Sequence, residues 1–395
     1  MILYGIKRFL KVAIRNKLLG VLLLSIVLFA CHNRNSIEDI NEFVFKDDFD
    51  ILQLAPRDGY DKSYLVYNDA SGKITSKYTL NSKDSISYGN LIQDRNEVYF
   101  SNNYIYNESI ISYDYNSNKM VNKLDFTADN GRGYENMNPF SEYPIVIQNI
   151  GLADKIEEYT KSICLYLDNN WKCHENTNRL VYNNAIVHNG LIYAYLTDWQ
   201  PNFDQDALYV YDVDFNLINQ VNIYEKYGMD QGEMILYPSK SGLLLIGLTD
   251  YSSLTITKID NNLNVLEKVN YEQTDGCLNA ELSSYFKKDD YNIYIQMYCS
   301  TGNVENSLEV SNKLVLFNPE DISIKPSVYL LGNKDVAGIN FKDNYLFLND
   351  RTSRKEESNI AIYDLDFNYI KNITFERVRN SITRVVDINK KLIIN

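Results

Sequence analysis

An all-β fold made of repeated four-stranded units is predicted by three observations. One hairpin pattern recurs seven times, a second strand pair stands between consecutive copies, and no amphipathic helical stretch of useful length competes. The hairpin is an apolar alternation, an Asp/Asn-rich turn and a second alternation. Alternation with period two is the mark of a half-buried strand, and Asp and Asn tolerate the backbone angles of tight turns. Copies begin near Ser63 (SYLVYNDASGKITSKYTL), Ser109 (SIISYDYNSNKMVNKLDF), Ser162 (SICLYLDNNWKCHEN) and Ala207 (ALYVYDVDFNLINQVNIY). Three more begin near Ser253 (SLTITKIDNNLNVLEKVNY), Lys313 (KLVLFNPEDISIKPSVYL) and Asn359 (NIAIYDLDFNYIKNITF). The intervening pairs include Asn184 to Asp198, Met234 to Asp250 and Val336 to Asp350.

The spacings between hairpins, 46, 53, 45, 46, 60 and 46 residues, fit a four-stranded β-propeller blade. Seven blades are expected. Six or eight stay open, because Phe43 to Phe45 and Ile51 to Leu54 have the composition to add strands. After the seventh hairpin, Ser381 to Asn395 (SITRVVDINKKLIIN) reads as an inner strand pair without an outer one, and the first hairpin lacks an inner pair. Joining the two ends completes a composite blade, closes the ring and leaves no open sheet edge.

Of 395 residues, 23% are charged and 13% aromatic, with 17 Gly and 7 Pro, which excludes disordered, collagen-like and multi-span membrane chains. At the start, Lys7, Arg8, Lys11, Arg15 and Lys17 precede an apolar run from Leu18 to Ala30, followed by Cys31. The run is shorter than the roughly 20 residues that span a bilayer, so it reads as a signal peptide. Leu28-Phe29-Ala30-Cys31 resembles the cleavage region of bacterial lipoproteins. That resemblance covers the first 31 residues and implies cleavage before Cys31, acylation of its thiol and a partner in the lipid bilayer. The expected domains are therefore a signal peptide over 1–30, a lipidated cysteine and tether over 31–58, and a propeller over 59–395. The expected location is the cell envelope, lipid-anchored, with the outer membrane as its seat and the side it faces left open.

Cleavage removes five positive charges and leaves 34 basic against 52 acidic residues, a net charge of −18. Such a body repels nucleic acid and anionic lipid. From Tyr60 to Asn395 the repeats resemble propeller proteins whose outer hairpins carry a "YD, turn, N" pattern, among them lipoprotein propellers of unknown function. The resemblance implies a fold and carries no catalytic residues.

Cys164, Cys173, Cys277 and Cys299 are an even number of cysteines in an exported chain, a setting for disulfides. A two-residue turn at Asp168-Asn169 pairs Tyr166 with Trp171 and puts Cys164 opposite Cys173; a turn within Lys287 to Asp290 brings Cys299 within a residue of facing Cys277.

Material for catalysis is scarce. Only His32, His174 and His188 exist, and there is no G-x-S-x-G, P-loop or Rossmann fingerprint. The D-x-D-x-N runs at Asp212 and Asp364 have Leu217 or Tyr369 where an EF-hand needs Gly, and so read as turns; no metal or cofactor is expected. Strand ends reading Thr197-Asp198, Thr249-Asp250 and Asn349-Asp350 fall on one face, where carboxylates suit a cation, a sugar or an amine. Trp199 among polar residues, Arg132 and Tyr134 in DNGRGYENMN, and Arg351 beside Asp350 complete the candidates for a ligand face. The function expected is a binding or scaffold module for a protein, peptide or glycan. The alternative is an exported glycan hydrolase or lyase using paired acids such as Asp198 and Asp350.

Overall fold

The computed structural model describes residues 50–55, 63–80, 86–93, 97–102, 108–114, 119–126, 134–138, 140–152, 159–176, 180–198, 206–230, 232–271, 279–287, 291–300, 310–325, 328–330, 336–342, 344–350, 357–376, 384–388 and 391–392. Cys31 and the segments around it lie outside these residues. Strands group in antiparallel sheets as the hairpin pattern requires. The first sheet holds β1 (Ile51–Ala55), β2 (Ser63–Asn68) and β3 (Ile74–Leu80). The second runs β4 (Ile86–Gln93), β5 (Glu97–Asn102), β6 (Glu108–Asp114) and β7 (Lys119–Phe126). The third has β8 (Tyr134–Met137), β9 (Ile145–Leu152), β10 (Tyr159–Leu167) and β11 (Asn170–Glu175). The fourth has β12 (Leu180–His188), β13 (Leu191–Asp198), β14 (Ala207–Tyr211) and β15 (Leu217–Asn222), followed by the helix α1 (Ile223–Tyr227).

The fifth sheet is β16 (Ile235–Ser239), β17 (Gly242–Thr249), β18 (Ser253–Ile259) and β19 (Val265–Tyr271). The sixth is β20 (Asn279–Lys287), β21 (Ile293–Ser300) and β22 (Val310–Asn318), with β23 (Ser323–Ile324) and β24 (Val328–Leu330) both on β22. The seventh is β25 (Val336–Lys342), β26 (Tyr345–Asp350), β27 (Glu357–Asp364) and β28 (Tyr369–Glu376); β29 (Arg384–Ile388) returns to pair with β1. The fold is an all-β propeller. Its apolar core lies between sheets: one cluster joins the third and fourth, others the fourth and fifth, fifth and sixth, sixth and seventh, and seventh and first.

The outer turns build these junctions. Asp212, Asp260 and Asp364 each accept hydrogen bonds from the backbone N–H two and four residues on and from the side chain of Asn216, Asn264 or Asn368. Those bonds hold each carboxyl below the usual carboxylate range, most through Asn216, Asn264 and Asn368. The turn reading of the D-x-D-x-N runs therefore holds, with the carboxylate oxygens engaged by the turn itself. The residue three after each Asp has positive φ, Phe215 at 63°, Leu263 at 66° and Phe367 at 64°. This geometry folds an apolar side chain back onto the preceding sheet. Phe215 stacks on His174 of β11 at 5.4 Å, Phe367 meets Tyr294 of β21 at 5.4 Å, and Leu263 is fully buried in the cluster shared with the fourth sheet.

In the first sheet the same position is Gly72, with φ 83°. An added Cβ there would stand 2.1 Å from Thr374 O and 2.8 Å from Phe375 Cα of β28. Hydrogen bonds replace the apolar anchor at this junction: Glu376 N–H donates to Gly72 O (2.7 Å), and Gln53 Nε2 donates to Glu376 O (3.0 Å).

Three expectations need correction. The composite sheet takes one strand, β29, from the C-terminal segment and three from the N-terminal side, because Ile51 to Ala55 pairs in register with Tyr64 to Asn68 and buries Ile51 and Leu52. The stretch expected as tether over 31–58 thus already contains a strand. The outer strand of the fourth sheet stops at Asn222, whose side chain caps α1 by accepting from Glu225 N, while left-handed Gly228 closes the helix. Opposite Cys299 the register places Ala280 instead of a residue next to Cys277, since five residues separate Lys287 from its partner Ile293, and the bulge at Leu282/Ser284 takes back only one residue of that shift.

Candidate functional site

The first strand of each unit, β8, β12, β16 or β20, has a hydrogen-bonded neighbour on one side only, and its free edge needs other partners. Two asparagines supply them across sheets. Asn138 Nδ2 donates to Leu236 O (3.0 Å) and Asn184 Nδ2 to Met234 O (2.9 Å). Between β8 and β9, Phe140 donates its N–H to Asn138 Oδ1 (3.0 Å) and projects its ring to 5.0 Å from Tyr237 in β16 and 5.4 Å from Tyr285 in β20. A side chain of the third sheet that touches the inner strands of the fifth and sixth has crossed the middle of the propeller. Tyr237 and Tyr285 are edge-on to each other at 6.2 Å and pack against the apolar cluster between the fifth and sixth sheets, so the three rings form an aromatic floor where inner strands converge. Burial, reinforced by Tyr237, pushes the Tyr285 hydroxyl far above the usual phenol range.

Phe140 enters from the end that carries the outer turns, here the turn end. The opposite, loop end carries carboxylates. Glu233 precedes β16 four residues before Tyr237, and Glu281 lies in β20 three ladder positions, about 10 Å, from Tyr285 across the bulge at Leu282/Ser284. Glu233 is exposed by area, while protein around its carboxyl limits the solvent that reaches it. That crowding, with the negative charge of Glu281, pushes its pKa up to about 7.

At this end the connecting loops are fastened by a buried acid, Asp206, and a half-buried one, Asp230. Tyr195 Oη bonds the Asp206 carboxylate and stands 2.6 Å from Gly232 O, while Asp206 Oδ1 accepts the Asp198 N–H (3.2 Å). Burial raises the Asp206 pKa, against the lowering effect of Tyr195 and the backbone donors. Asp230 Oδ2 accepts the Tyr251 N–H (2.6 Å) and its own N–H donates to Leu248 O (2.8 Å). Asp206 and Asp230 are therefore clamps of the loop end.

Sequence-predicted positions divide accordingly. Asp198 ends β13, Asp250 follows β17 with φ 54°, Asp350 ends β26 and Tyr134 opens β8, all at the loop end. Asp198 and Asp350 belong to sheets four and seven, which are not neighbours. Trp199, Arg132, Arg351 and Cys277 lie outside the described residues. Cys164 and Cys173 face each other and form a disulfide, Cα atoms 4.0 Å apart, with Tyr166 opposite Trp171 as expected. Cys299, fully buried, is also disulfide-bonded. Phe140, Tyr237, Tyr285, Glu233 and Glu281 escaped sequence reasoning. The one available signal was the position of Glu233 and Glu281 at the start of first strands.

No family model matches this chain, and no curated protein matches it. Among solved structures, it is similar to a functionally unknown protein from Desulfotomaculum acetoxidans, at 12% identity and TM-score 0.48, over 85% of this chain and 98% of that one. It is also similar to a putative 6-phosphogluconolactonase from Bacteroides fragilis, at 11% identity and TM-score 0.47, over 87% of this chain and 100% of that one. A prolyl endopeptidase is matched at 10% identity and TM-score 0.47 over 84% of this chain, which spans about half, 51%, of that protein. These likenesses concern the fold alone.

Proposed function

We propose that this chain is an exported, lipid-anchored binding or scaffold propeller that takes a protein, peptide or glycan ligand at the loop-end mouth of its channel. The observation that carries the reading is the aromatic cluster: Phe140, Tyr237 and Tyr285, from three sheets, meet where inner strands converge, with Glu233 and Glu281 on the loop-end side of β16 and β20. Aromatic faces stack on sugar rings or apolar side chains, and carboxylates at the rim favour ligands that bring amines or hydroxyls. Anchoring rests on the basic, apolar and cysteine order that ends at Cys31. The acidic charge of the body disfavours nucleic acid as ligand.

Glycan hydrolysis or lysis is the second reading, and one observation favours it. Glu233, with a pKa of about 7 beside Glu281, has the form of a general acid next to a second carboxylate. The test is to screen the full chain against glycans and envelope peptides for binding and for turnover, alongside Glu233→Gln/Glu281→Gln. Capture lost in the double variant, without turnover by the wild type, is the expected result. Turnover by the wild type that the double variant lacks would replace binding with catalysis, and capture indifferent to both substitutions would refute the site.

A further inference from the structure

The two ends of the propeller differ in what they expose. Eight of the ten large apolar side chains that are exposed among the described residues lie at the turn end, against Tyr224 and Tyr251 at the loop end. Six of the eight come as pairs with one placement. Leu217-Ile218, Val265-Leu266 and Tyr369-Ile370 are the first two residues of β15, β19 and β28, directly after the outer turns, and are 40–56% exposed. Each pair stands at a register shift directly after its turn, Leu217-Ile218 opposite Tyr211, Val265-Leu266 opposite Ile259 and Tyr369-Ile370 opposite Tyr363, and both side chains of each pair are exposed. An exposed pair repeated in three sheets makes an apolar rim.

The chain enters the described body at this same end. Asp50 N–H donates to Asn68 O (3.1 Å), immediately beside the turn that starts at Asp69. From Cys31 to Asp50 the chain reaches at most about 65 Å. We propose that the turn end is a lipid-apposed surface, whose apolar rim rests on the headgroup boundary of a zwitterionic bilayer while the loop-end mouth faces away. This rests on the reading of Cys31 as the anchor. Tethering supplies an effective concentration in about the millimolar range, so a contact that a free protein makes only with lipid in large excess is populated once the chain is anchored. The charge at this end sets the lipid class: Asp69, Asp212, Asp260 and Asp364 ring the turns and repel anionic headgroups, while the lysines Lys73 and Lys172 stand beside acids, near Asp69 and in an ion pair with Asp214 (2.7 Å).

Hydroxyl-radical footprinting tests the rim, in one arm on the full chain in its native membranes and in another on the Cys31→Ser chain mixed with an excess of phosphatidylcholine vesicles. Modification of Ile218, Leu266 and Ile370 should be several-fold slower with lipid than without in both arms, with Tyr224 and Tyr251 unchanged. Replacing part of the phosphatidylcholine by phosphatidylglycerol should reduce the protection. Equal rates with and without vesicles overturn the proposal, as does protection in native membranes alone, which assigns the rim to a protein. Acyl labelling of the full chain reads the anchor separately: an unlabelled Cys31 refutes anchoring, and the vesicle arm still decides the rim. Ile218→Asp/Leu266→Asp, at exposed positions, should keep the wild-type melting temperature and lose the vesicle protection at Ile370.

Discussion

Glu233 depends for its chemistry on groups far from it in sequence. Its carboxyl is crowded by protein and faces the charge of Glu281, so the folded protein holds its proton up to about pH 7. In the unfolded chain the same group ionises near 4.5. Below that value both states are protonated and the group contributes nothing. Between about 4.5 and 7 the unfolded chain releases its proton first, so stability is lost progressively as pH rises through this window. Glu233→Gln should therefore match the wild-type melting temperature near pH 4 and exceed it near pH 8; a pH-independent difference would contradict this environment. Nothing in the local sequence distinguishes Glu233 from an ordinary surface acid. Phe140 is equally silent, since a single aromatic in a loop has no period, and only the neighbouring inner strands make it a floor. Cys164 and Cys173 were legible because a two-residue turn fixes cross-strand register, and Asp168 and Asn169 adopt the positive φ that this turn needs, 53° and 61°.

Among elements, the outer turn carries the most information per residue. Its Asp, its Asn and its polar character are visible in sequence, and they do form the turn. Its apolar member was not read, because an apolar residue inside a polar turn looks like noise until its positive φ directs it onto the preceding sheet. Leu263 is fully buried at such a position, and its truncation removes contacts to both the fourth and fifth sheets. Leu263→Ala should lower the unfolding free energy by about 3 kcal/mol in denaturant titration. A loss below 1 kcal/mol, the range of surface positions, would show that the turn closes a hairpin without stapling sheets. Register shifts follow the outer turns at Tyr67/Asn68, Ser112/Tyr113, Val210/Tyr211, Lys258/Ile259 and Ile362/Tyr363, and inner strands carry them too. Bulges at Tyr134/Asn136, Tyr182/Asn184, Leu282/Ser284 and Val336/Gly338 shift the register near their starts, and no alternation count detects one extra residue. The displaced register of Cys299 comes instead from the long connection between Lys287 and Ile293.

For the whole molecule, period and strand content made the propeller legible, as did the pairing of the two ends, because each unit repeats the same four-stranded logic. The division of the composite sheet was not legible: Ile51 to Ala55 is a short apolar run that fits either a tether or a strand, and only its register with β2 and β29 decides. The ring matters to the proposed site, since Phe140 reaches Tyr237 and Tyr285 only when inner strands of separate sheets converge. The account stands most directly on the join between β1 and β29, where Leu54 lies opposite Arg384. Leu54→Cys with Arg384→Cys places two thiols within disulfide reach across that pair. The full chain carrying both substitutions should form an intramolecular bridge on oxidation, melt higher when oxidised than when reduced, and still capture the ligands that the wild type captures. Free thiols at both positions in a folded protein would contradict the closed propeller and the site built inside it.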